Sequence, residues 1–91
     1  MNNFQQMLNQ ARMVQQKHEN FKKEVFEFSN QGDLIKITVS GAYKVTLDVN
    51  FKTLLEQLDH DYEMLNDLVQ VAINEAITEV KKKESKIIGT V

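Results

Sequence analysis

The stretch Asn3–Lys23, NFQQMLNQARMVQQKHENFKK, carries an apolar stripe at helical spacing. Phe4, Ala11, His18 and Val25 recur every seven residues, and Met7, Val14, Phe21 and Phe28 do the same. That is the spacing of a helix that packs along another helix. At about 1.5 Å per residue such a helix is roughly 30 Å long. The strands that follow reach only about 20–25 Å at about 3.3 Å per residue. The helix therefore outruns its sheet, and its stripe must meet a second chain or stay wet. Phe4, Met7, Ala11, Val14, His18 and Phe21 form the expected seam of a homodimer.

Working outward, the period changes near Glu24. Phe26 and Phe28 fall on one face and Val25 and Glu27 on the other, which predicts a short strand. Ser29-Asn30-Gln31-Gly32-Asp33 reads as a turn. Leu34–Ser40 alternates, with Ile35, Ile37 and Val39 inward, and Gly41-Ala42 makes the next turn. Tyr43, Val45, Leu47 and Val49 share a face of a third strand. The result is an antiparallel meander with one buried face. Asn50 can cap a short helical piece, Phe51–Leu58. Asp59 or Asp61 then caps a last helix, from about Tyr62 to Lys83, whose stripe is Leu65, Leu68, Val69, Ala72, Ile73, Ala76, Ile77 and Val80. Lys81, Lys82, Lys83 and Lys86 complement the negative end of its dipole. The tail Ile87–Val91 reads as frayed or docked on a second subunit. The expected fold class is α+β: α-β-β-β-α in one domain, residues 1–91, with a three-stranded antiparallel sheet flanked by two long helices, as a dimer.

Composition agrees. A chain of 91 residues buries a small core and commonly leans on disulfides, a metal or a partner subunit. It has no cysteine, and its two isolated histidines, His18 and His60, lack metal-ligand spacing. No cofactor or metal is expected. No apolar run spans a bilayer and MNNFQQ is not a signal peptide, so the expected location is the cytoplasm with no membrane partner. The net charge of −2 argues mildly against generic nucleic-acid binding, but the cations are clustered.

The run Asp61-Tyr62-Glu63-Met64-Leu65-Asn66-Asp67-Leu68-Val69, continued by Ala72, Asn74, Glu75 and Ala76, resembles the C-terminal helix of the YbaB/EbfC proteins. Leu34–Gly41 resembles that family's strand and glycine turn, Leu47-Asp48 with Leu54-Leu55 its following segment, and Met7–Ala11 with Gln15 and Lys17 its opening helix. The resemblance implies a bacterial nucleoid-associated homodimer. Such a dimer binds double-stranded DNA with little sequence preference through helices that project like the arms of tweezers. The chain departs from the family in its shortened turns, in keeping only Lys44 of a frequent basic pair, and in lacking a Gly/Pro/Met-rich tail.

Candidate DNA contacts are Arg12, Lys17, Lys22 and Lys23 on the first helix and Lys81, Lys82, Lys83 and Lys86 on the last. Lysine serves phosphate as a point charge without reading bases. The plainer reading is a solvated face and a dipole complement. His18 reads as a seam residue that fixes register. His60 lies between Asp59 and Asp61 in a capping segment without further ligands. Phe4, Phe21, Phe26, Phe28 and Phe51 sit at core spacing rather than on a base-stacking platform. No nucleophile constellation suggests an enzyme. Two functions stay open: an architectural DNA binder, and a non-enzymatic protein-interaction module using the same arms.

Overall fold

The computed structural model of the chain describes residues 2–88. The elements run α1 (Asn2–Lys23), β1 (Val25–Asn30), β2 (Ile35–Ser40), β3 (Val45–Val49), α2 (Phe51–Gln57) and α3 (Tyr62–Ile88). The strands make one open antiparallel sheet in the order β1-β2-β3. Phe28 pairs with Ile37 and Ile37 with Leu47, while Phe26 pairs with Val39 and Val39 with Val45. These residues therefore share one face of the sheet, as alternation requires.

That face is unevenly covered. α3 lies across β2 and part of β1. Ile35, Ile37 and Val39 on β2 are buried with Phe21, Leu54, Ala72, Ala76 and Val80. Ala72 and Ala76 let the helix backbone come close to the sheet, because a small side chain leaves no gap to fill. β3 sits at the margin: Val45 is 41% and Leu47 40% exposed, so the third strand's face is shared but not buried. Val25, placed by the heptad on the apolar stripe, belongs to β1 opposite Ser40 and is exposed. The stripe ends where helix gives way to strand, because a period of two turns alternate residues outward.

Local chemistry sets the boundaries. Asn50 Oδ1 accepts from the Thr53 amide at 3.2 Å and starts α2. Asp61, not Asp59, caps α3, accepting from the Met64 amide at 3.1 Å. Asp59 and His60 instead take left-handed backbone angles in the connection, with φ of 53° and 63°. α3 does not stop at Lys83 but continues to Ile88. Ile87 is helical and packs against the core, so the start of the tail is neither frayed nor loose. Gly89, Thr90 and Val91 lie outside the described residues. The body measures 68 × 17 × 16 Å. A 27-residue α3 spans only about 40 Å of that length, so α1 projects beyond it.

Candidate nucleic-acid interface

Lys83 Nζ lies 5.5 Å from the centre of the Phe26 ring, near the start of β1. Val71 and Ala72 line a groove with Asn30 at the other end of that strand. α3 thus runs antiparallel to β1. His18 Nε2 meets Glu84 Oε2 at 3.0 Å, which sets the last turns of α1 against the last turns of α3. Two basic clusters far apart in sequence converge on this two-helix arm. Lys17, Lys22 and Lys23 lie within a turn or two of His18, Arg12 further out along α1, and Lys81, Lys82, Lys83 and Lys86 within a turn of Glu84.

The eight cations are all exposed but not equally free. Lys22 pairs with Glu19 at 3.4 Å and Lys82 with Glu79 at 3.3 Å. Both pairs are solvated and worth little, so a phosphate can displace either carboxylate. Lys83 lies against the Phe26 ring. Arg12, Lys17, Lys23, Lys81 and Lys86 make no ion pair among the described residues. Lys81, Lys82, Lys83 and Lys86 surround one shallow concavity with Thr78 and Ser85. Lys82 and Lys86, one turn apart, share a helix face.

The six residues of the expected seam separate into two groups. Phe21 is 2% exposed in the chain's own core, and Val14 and His18 are partly covered. Phe4 is 71% and Met7 67% exposed, and Ala11 is exposed as well. Leu8, on the flank of the stripe, extends this bare apolar surface. His60 is exposed in its left-handed turn, and no group of metal-ligating side chains occurs among the described residues.

Sequence reading missed Glu84 and Tyr43. The Glu84 carboxylate receives His18 on one oxygen and the Tyr43 hydroxyl on the other, the latter at 2.9 Å. Carboxylates only accept, so His18 Nε2 carries the proton in this contact. The bonds from His18 and then Tyr43 hold the Glu84 carboxyl below its ordinary value, with the charges of His18 and Lys22 adding to the effect. Burial, and then the same carboxylate, push the Tyr43 phenol up. One signal was present in the sequence. His18 is polar on an apolar stripe, and Glu84 lies one turn from both Val80 and Ile87 on the covered side of α3.

Fold and site together define a small α+β protein whose cations gather on a projecting pair of helices. The YbaB/EbfC DNA-binding family model matches residues 1–91, and the chain belongs to that family. It is 38% identical over 90 residues to a nucleoid-associated protein of Malacoplasma penetrans, covering 93% of this chain and 92% of that one. It is 37% identical over 87 residues to a nucleoid-associated protein of Pseudothermotoga lettingae, covering 84% and 74%. A third, from Ligilactobacillus salivarius, is 32% identical over 95 residues, covering 96% and 86%.

Proposed function

We propose that this protein is an architectural double-stranded DNA binder that works as a homodimer in the bacterial nucleoid. It grips phosphates through Arg12, Lys17, Lys22, Lys23, Lys81, Lys82, Lys83 and Lys86 and reads sequence weakly. The observation that carries this is the convergence of two basic clusters on one arm, six of their members having no carboxylate partner among the described residues. Lysine-rich, aromatic-poor contact surfaces position a protein on the backbone without reading base edges. The dimer seam uses the outer part of the stripe, Phe4, Met7 and Ala11, which a single chain leaves bare, together with the partly covered Val14 and His18, whereas Phe21 at the stripe's inner end is enclosed in the chain's own core.

The test is duplex binding across a salt series, with light scattering on the same sample. About four to six phosphate contacts give a slope of log affinity on log salt of about −4 to −5. Reversing Lys81, Lys82 and Lys83 to Glu abolishes binding and leaves dimerisation intact. A flat salt response, or no binding at low salt, defeats the reading.

A second reading, a protein-interaction module, draws on the net charge of −2 and on an open groove between β1 and α3 that holds Phe28, Val71 and Glu75. Recovery of a protein partner after nuclease treatment favours it; recovery of nucleic acid alone does not.

A further inference from the structure

We infer that Glu84 is a positioning residue for the basic arm: it clasps α1 to α3 through His18 and to the β2–β3 turn through Tyr43. The inference rests on the DNA-binding reading above. Glu84 sits within the lysine run, where a carboxylate is electrostatically unwelcome to phosphate. Charge alone therefore does not account for an acid at this position. Its geometry does, because a single carboxylate ties together three elements that are separate in sequence. His18 lies 66 residues away and Tyr43 lies 41 residues away.

The turn is shaped to deliver Tyr43. Its backbone is left-handed, with φ of 63°, a conformation uncommon for an aromatic residue. Ser40 holds that shape. Its carbonyl accepts from the Tyr43 amide at 2.9 Å, and its hydroxyl oxygen accepts from the Ala42 and Lys44 amides at 3.2 and 3.1 Å. The Gly41 amide donates to the Glu24 carbonyl at 2.9 Å, which seats this turn beneath the end of α1. The clasp is partly shielded, with His18 31% and Glu84 24% exposed at the side chain, so its bonds compete less with water than surface pairs do.

Phosphates sit at fixed spacing, so lysines on two helices engage together only when the helices hold a fixed offset. Setting that offset before DNA arrives removes an ordering cost from binding. The clasp sets it midway along the cationic stretch, between the Lys17–Lys23 cluster and the Lys81–Lys86 cluster.

The sign of one substitution separates this role from simple electrostatics. Glu84→Ala removes a negative charge from the basic surface, so charge alone predicts tighter DNA binding. The clasp predicts looser binding, about tenfold at fixed salt. Glu84→Gln also removes the charge, but its amide oxygen still accepts from Tyr43 and its amide nitrogen donates to His18 Nε2 once the ring takes the tautomer with its proton on Nδ1. It should bind at least as well as the unaltered protein. Tyr43→Phe, a milder change that keeps the ring, should show the same loss as Glu84→Ala in smaller measure, and it serves if Glu84→Ala fails to fold. Amide hydrogen exchange without DNA gives the independent reading. Residues 14–23 of α1 should exchange about tenfold faster in Glu84→Ala and Tyr43→Phe, and at the unaltered rate in Glu84→Gln. Unchanged exchange in both disruptive variants, or tighter DNA binding by Glu84→Ala, overturns the inference. If the unaltered protein binds no DNA, the functional reading fails, and the exchange rates still decide whether the clasp holds the arm.

Discussion

The two halves of α1 carry one continuous pattern and have opposite fates. From Val14 to Phe21 the stripe is partly or fully covered by the chain's own structure, whereas from Phe4 to Ala11 it stands in solvent. The same periodicity thus serves intramolecular packing in one half and is left open in the other. A heptad reports that a helix has a sticky side. Whether that side is satisfied depends on how far the neighbouring helix extends.

This contrast can be broken at its base. Phe21→Ala should cost about 3–5 kcal/mol of folding stability, the range for emptying a buried aromatic site, measured by urea unfolding. A loss below about 1 kcal/mol would show that the inner half is not core. Gly41→Ala comes next. A Cβ there would overlap the Phe21 carbonyl, which is backbone and cannot swing aside, so about 1–3 kcal/mol is expected in the same assay. An unchanged midpoint would mean that α1 does not seat on the β2–β3 turn.

Acid titration probes the clasp within the covered half. Glu84's carboxyl is lowered in the folded chain by its bonds to His18 and Tyr43. A group lowered on folding contributes stability above the ordinary carboxylate range and loses it as pH falls through the lowered value. Glu84→Gln should flatten that part of the acid limb of the stability curve. A limb identical to that of the unaltered protein would count against the bonded carboxylate.

The smallest effect on folding is expected at the other end. Phe4→Ala combined with Met7→Ala should shift unfolding of dilute single chains by no more than about 0.5 kcal/mol, as exposed sites do. The same pair should weaken self-association seen by sedimentation. If unfolding shifts while association does not, the outer half is folded-state structure rather than contact surface.

Much of this was legible in the sequence. Alternation in Ile35, Ile37 and Val39 marked the central strand, and Asn50 marked the start of α2. What escaped depended on contacts between distant residues. The lysine run after Val80 looked like a helix end, since cations suit a helix terminus. The helix continues because Glu84 bonds to α1 and Ile87 packs on the core. Tyr43 looked like a strand residue by parity, and the hydroxyl of Ser40 bends it out of the strand instead. The two basic groups were each visible, but their convergence was not. It follows from α3 running back along β1, which no local pattern encodes.

The 68 × 17 × 16 Å outline has a spectroscopic consequence. A rod of this shape spins readily about its length and tumbles end over end slowly. Helical N–H vectors point along the helix axis, whereas those of strands lie crosswise to the strand. In a dilute single chain, nitrogen-15 relaxation should therefore sort amides by orientation, giving α1 and α3 longer apparent correlation times than the three strands between them.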